Sequence, residues 1–211
     1  MLRLSFRENT EEEIIAEALH VLKKGGIVAY PTESFYALGV MAADGDAVRK
    51  LYRLKKRPLE KAMPVIIGNE GILKTIVKSI PPQALKLMEK FWPGPLTLVF
   101  DARDNLPELL LGRTKKIAVR IPGNSFALRL AKAADFPITA TSANISGKMP
   151  AQSSDGVINY FGENIDLVVD VPKTPGGKPS TIVDVTVTPP KVLREGSILL
   201  NQGRINIVNI S

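Results

Sequence analysis

Thr10-Glu11-Glu12-Glu13-Ile14-Ile15-Ala16-Glu17-Ala18-Leu19-His20-Val21-Leu22-Lys23-Lys24-Gly25-Gly26-Ile27-Val28-Ala29-Tyr30-Pro31 changes its hydrophobic period halfway along, and that change decides the fold class. Thr10 followed by Glu13 has the spacing of a capping box, and Ile14, Ile15, Ala18, Leu19 and Leu22 then recur at helical intervals. Lys23 and Lys24 suit the negative end of the helix dipole before Gly25-Gly26 stops the pattern. Ile27 to Tyr30 is a short apolar run closed by a proline, which predicts a buried strand.

Outward from this stretch the alternation continues. A helix begins at Asp44, carries Ala47, Val48, Leu51 and Leu54 inward, and ends where Pro58 pushes the preceding residue out of the helical region. Strands are expected over 65–67, 96–100, 117–120, 138–141, 167–169 and 181–185, with helical patterns near 72–77, 83–91, 126–133 and 157–161. Alternating elements with several short β-rich runs predict an α/β domain with a mixed, twisted sheet surrounded by helices. One domain over 1–211 is the expectation for 211 residues, with 197–205 read as a terminal strand or short tail.

Composition narrows the function. The chain is 45% hydrophobic and 23% charged, the balance of a folded globular protein rather than a disordered or fibrous one. Its 28 Lys and Arg against 21 Asp and Glu give a formal charge of +7, which suits either anionic partners such as nucleotides or a solvated basic surface. There is no cysteine, so disulfides, thiolate catalysis and Cys-based metal sites are excluded. The single histidine, His20, falls in the first helix away from any polar cluster, which argues against a Ser-His-Asp triad or a His-rich metal site. Acidic residues interrupt the N-terminus before a signal-peptide apolar run develops, and no stretch approaches about 20 apolar residues, so a cytoplasmic location without membrane contact is expected.

Chemistry run without His or Cys rests on positioning and electrostatics, the pattern of phosphoryl and nucleotidyl transfer with Mg²⁺. Lys55 and Arg57, with Lys56 and Lys61 beside them, offer a phosphate clamp or merely a basic helix end; Lys50 on the same helix reads as a surface residue. Thr141-Ser142-Ala143-Asn144 reads as a strand end opening into a loop, where Ser142 and Asn144 present polar groups to a ligand or satisfy their own turn. Thr32, Glu33 and Ser34 precede an apolar wall, Phe35 to Gly39, and serve either a small polar substrate or a turn after proline. Arg120 emerges from an apolar run and needs an anionic partner, from the protein or from a ligand. Arg194 is a weaker case, because Glu195 and solvent are available to it. Neither G-x-x-x-x-G-K-[ST] nor a G-x-G-x-x-G after a strand is present. The loop from Pro172 to Pro179 reads as a mobile flap beside the site.

Five segments occur in one order: Tyr30-Pro31-Thr32-Glu33-Ser34, Lys55-Lys56-Arg57-Pro58, Val119-Arg120-Ile121-Pro122, Thr141-Ser142-Ala143-Asn144-Ile145-Ser146-Gly147 and Pro179-Ser180-Thr181-Ile182-Val183-Asp184. Together they resemble the YrdC family of threonylcarbamoyl-AMP synthases over about 25–196. The resemblance implies a single α/β domain with a basic concave groove, and condensation of L-threonine, bicarbonate and ATP, with Mg²⁺, to threonylcarbamoyl-adenylate and pyrophosphate. It implies catalytic roles for Lys55 and Arg57. It places L-threonine at Thr32, Ser34, Arg120, Ser142 and Thr181, and the nucleotide at Lys55, Arg57, Lys61, Asn144, Ser180 and Arg194, with no metal held by the protein. The product would feed N6-threonylcarbamoyladenosine in tRNA through separate threonylcarbamoyl-transferase proteins. Ser34 replaces the usual Thr, Ala37 the usual Gly, and Ala62-Met63-Pro64 a frequent Pro-Leu. The alternatives are an RNA-binding module contacting tRNA or double-stranded RNA, and a carbamoyltransferase-type enzyme, for which the length leaves no room.

Overall fold

The computed structural model of the chain describes residues 1–200, so the expected tail over 197–205 lies outside the described residues from 201 onward. The strands divide between two mixed sheets rather than one. The first follows the order Leu2–Ser5 (β1), Leu167–Asp170 (β9), Val28–Pro31 (β2), Tyr36–Gly39 (β3) and Thr141–Ser142 (β8). Its first three strands are parallel, and β3 and β8 are added antiparallel. The second follows Lys191–Arg194 (β11), Thr181–Asp184 (β10), Leu96–Asp101 (β5), Lys116–Arg120 (β6), Val65–Ile66 (β4) and Ile138–Thr139 (β7). The helices are Glu11–Lys23 (α1), Gly45–Lys55 (α2), Glu70–Ile76 (α3), Pro82–Phe91 (α4), Glu108–Leu111 (α5), Phe126–Ala133 (α6) and Ser154–Phe161 (α7).

The capping box that opens α1 is formed as its spacing predicts. The Thr10 hydroxyl accepts from Glu13 N at 3.3 Å, and the Glu13 carboxylate accepts from Thr10 N at 2.8 Å. The helix buries Ile14, Ala18 and Leu22 against α6 and one face of the first sheet, where Val28, Tyr30, Leu167 and Val169 point. Ile27, Ala29 and Val168, at alternate positions, point to the opposite face and join the main core with Leu96, Leu98, Val119 and Val183. Burial on both faces is why β2 reads as an unbroken apolar run rather than an alternating one.

Sequence-distant carboxylates fasten the periphery. Asp166 Oδ2 accepts from Ile27 N at 2.7 Å and from Lys50 Nζ at 2.8 Å, so Lys50 is a tie between α2 and the start of β9 rather than a free surface cation. No helix among the described residues is long and apolar enough to cross a membrane.

Candidate functional site

The turn after β2, the end of α2, the loop after β8, the end of β6, the start of β10 and the end of β11 converge on one cavity of about 580 Å³. Seven of the eleven residues named from sequence line it: Thr32, Ser34, Arg57, Arg120, Ser142, Ser180 and Arg194. Ala37, Val65, Ile66, Ala118, Ala140 and Ile182 supply an apolar floor, and no Asp or Glu is among the lining residues. Hollows of about 630 and 920 Å³ open beside Lys74 and Arg103 and beside Arg53 and Arg113. They hold none of the eleven, so the chemistry assigns the site to the smaller cavity.

Each polar wall is set locally. The Thr32 hydroxyl donates to Phe35 O at 2.8 Å and accepts from Ser34 N at 3.1 Å and Phe35 N at 3.3 Å, so it builds the turn that also faces the cavity. Arg57 follows Lys56, which stands in the left-handed region at φ 50°, and this reversal turns its guanidinium back onto Lys61 O at 3.2 Å and Ala62 O at 2.7 Å. Arg120 donates from Nη1 to Glu33 Oε1, while Glu33 Oε2 is buried with no hydrogen-bond partner. The anionic partner that the sequence demanded for Arg120 is thus a protein carboxylate, which sequence reading placed in the turn but did not pair. Arg194 grips Ser180 through its carbonyl, at 2.8 Å from Nη2, and through its hydroxyl at 3.2 Å. Burial, and then the nearby positive charge of Arg120, lowers the Arg194 pKa. Thr97, which sequence reading did not single out, joins this wall through a 2.8 Å contact between its hydroxyl and that of Ser180.

Four of the eleven do not line the cavity. Lys55 is 1% exposed, and its ammonium donates to Ser142 O, to Asn144 O at 2.7 Å and to Asn144 Oδ1 at 3.2 Å. Burial, and then repulsion from Arg57, pulls its pKa down to about 7. Asn144, buried beside it, donates to Lys148 O at 2.6 Å. Thr181 is fully buried, and its hydroxyl donates to Ile198 O at 2.6 Å and accepts from Ile198 N and Gly196 N. Lys61 is exposed outside the cavity, though its carbonyl holds both Arg57 and, at 2.6 Å, the Tyr52 hydroxyl.

The Pro172–Pro179 loop does border the cavity through Gly177 and Pro179. It is tethered to it as well: Gly176 N donates to Ser34 O at 2.7 Å, and Thr174 N to Gln152 O at 2.7 Å. Gly176 and Gly177 sit at φ 76° and 97°, conformations that side chains rarely adopt, which lets the loop turn beside Ser34. Among the described residues, no group of three or more His, Cys, Asp or Glu stands together as a metal site.

The profile of the Sua5–YciO–YrdC family, described as telomere recombination, matches residues 20–196. A threonylcarbamoyl-AMP synthase of Pyrococcus abyssi is 37% identical over 94% of this chain and 58% of its own length. One of Methylobacillus flagellatus is 36% identical over 79% of this chain and 92% of its own length. The crystal structure of P. abyssi Sua5 complexed with L-threonine superposes with a TM-score of 0.87, covering 94% of this chain and 58% of that one. The chain therefore spans a little over half the length of some relatives and nearly all of others.

Proposed function

The chain belongs to the Sua5–YciO–YrdC family, and from that premise we propose that it is a threonylcarbamoyl-AMP synthase. The observation that carries the proposal is the convergence of Thr32, Ser34, Ser142 and three arginines on one cavity with an apolar floor. Such a cavity suits a small amino acid beside a polyphosphate, because it supplies hydroxyls for orientation and guanidinium forks for oxygen anions.

In this reading the threonine amine and bicarbonate combine to a carbamate with loss of water. A carbamate oxygen then attacks the α-phosphorus of ATP, the bond from that phosphorus to the bridging oxygen breaks, and pyrophosphate leaves. Arg57 faces the phosphates, its orientation fixed by the carbonyls of Lys61 and Ala62. Arg120, held from behind by Glu33, and Arg194, held by Ser180, offer positive charge to the threonine carboxylate and the nucleotide. Mg²⁺, bound to the ATP phosphates, would neutralise charge on the leaving pyrophosphate. Thr32 and Ser142 orient the amino acid. The Pro172–Pro179 loop, at the edge of the cavity through Gly177 and Pro179, would help to exclude water. The product would pass to a separate threonylcarbamoyl-transferase system acting on tRNA.

The test is pyrophosphate release from purified protein with ATP, Mg²⁺, L-threonine and bicarbonate. Release that requires both threonine and bicarbonate is expected; release indifferent to either removes the synthase reading. Added tRNA should stay unmodified until the transferase proteins are supplied.

A further inference from the structure

Lys55 spends its side chain and its backbone on one short loop. Its ammonium holds the carbonyls of Ser142 and Asn144 and the Asn144 side chain, and its own carbonyl accepts from Ser146 N at 3.0 Å. The orientation of the Asn144 amide follows from its neighbours. Lys148 O has no proton, so the atom facing it at 2.6 Å is the amide nitrogen. The amide has one nitrogen and one oxygen, and with the nitrogen spent on Lys148 the atom that accepts from Lys55 Nζ at 3.2 Å is the oxygen. Ser142 Oγ lies 2.6 Å from that same amide oxygen and must give it its only proton. The lone pairs of the exposed Ser142 hydroxyl are then left for the cavity.

We propose that Lys55 is a positioning residue that, through Asn144, fixes the Ser142 hydroxyl as a hydrogen-bond acceptor. Ser142 therefore takes an N–H of the amino-acid substrate rather than a phosphate or carboxylate oxygen. This rests on the synthase reading and changes one part of it: the cation that the sequence offers as a phosphate ligand acts behind the wall. A carboxylate or phosphate oxygen placed at Ser142 would meet lone pairs instead of a proton. An amine meets the acceptor it needs.

Two measurements separate the geometry from the ligands. In hydrogen exchange without ligand, Lys55→Met should speed exchange of the Ala143, Ser146 and Ala151 amides about tenfold or more while α1 amides stay unchanged. In calorimetric titrations, Lys55→Met and Ser142→Ala should each weaken L-threonine about tenfold and ATP less than about twofold. The double variant should be no worse than either single one, because the first acts through the second. Should Lys55→Met fail to fold, the Asn144 pair decides. Asn144→Asp keeps an acceptor for the Ser142 proton and should hold threonine affinity within about threefold, whereas Asn144→Leu should lose about tenfold. Weaker ATP binding in Lys55→Met with threonine binding intact, or equal threonine affinity in the two Asn144 variants, would overturn the proposal. A wild-type protein that binds neither ligand would overturn the synthase reading instead, and unchanged amide exchange in Lys55→Met would overturn the positioning role by itself.

Discussion

Ser180 immediately precedes β10 and Thr181 opens it, and successive residues of extended chain point to opposite faces. Ser180 therefore lines the cavity while Thr181 turns inward to hold Gly196 and Ile198. The two hydroxyls should fail differently. Thr181→Val leaves the Gly196 and Ile198 amides without their acceptor, a loss of about 1–3 kcal/mol that should appear as a lower urea midpoint. Ser142→Ala removes an exposed hydroxyl, so it should cut threonine-dependent pyrophosphate release without moving the midpoint. A shared drop in stability would make Ser142 a turn residue only. The motif spacing alone could not separate these cases, because register and facing are properties of the folded strand.

Elements show which signals survive without tertiary context. α1 and α2 were legible because their capping residues and apolar stripes are local, and β2 because it is apolar and closed by proline. β1 and β11 were not: Leu2-Arg3-Leu4-Ser5 and Lys191-Val192-Leu193-Arg194 are largely exposed, and β1 exists by pairing with β9, far along the chain. β3 was read as an apolar wall, since Tyr36-Ala37-Leu38-Gly39 is buried on both faces and has no alternation to reveal a strand. The end of α2 is the element on which the site depends most. Lys55 is carried inward on the buried stripe of α2 with Val48, Leu51 and Tyr52, and Lys56 then caps the helix at φ 50°, a conformation costly for a residue with a Cβ, which turns Arg57 toward the cavity. Lys56→Gly should therefore raise stability by about 1 kcal/mol and leave pyrophosphate release unchanged. Lys56→Val should lose at least as much and lower activity, because a β-branched residue resists this turn. Equal melting temperatures for the two would show that the turn is not held in the left-handed region.

Across the whole molecule, long-range ties that no local pattern announces should set the response to pH. Asp166, Asp170 and Asp184 join distant elements through Lys50, Arg3 and Lys116. Burial alone would raise these carboxyls, but their hydrogen bonds outweigh it and their pKa values lie below the usual carboxylate range. Their stabilisation is present above about pH 4 and is lost as pH falls through the lowered values. The buried tyrosines act with the opposite sign. Burial raises Tyr30 and Tyr52 and pushes Tyr36 up to about 12, so the folded chain keeps protons that the unfolded chain releases near pH 10. Stability is present below about pH 10 and falls as pH rises beyond it. Lys55, drawn down to about 7, adds a rise between there and about pH 10, because the unfolded chain retains the proton that the folded chain gives up. Urea unfolding across this range should thus give an acid limb, a climb through neutrality and an alkaline fall. Asp184→Asn should flatten the first, Lys55→Met the second and Tyr36→Phe the third. Among the three carboxylates Asp184 gives the sharpest test, since its side chain is only 11% exposed and water screens it least of the three. An acid limb that survives Asp184→Asn unchanged would mean that the tie to Lys116 contributes nothing to holding β6 and β10 together.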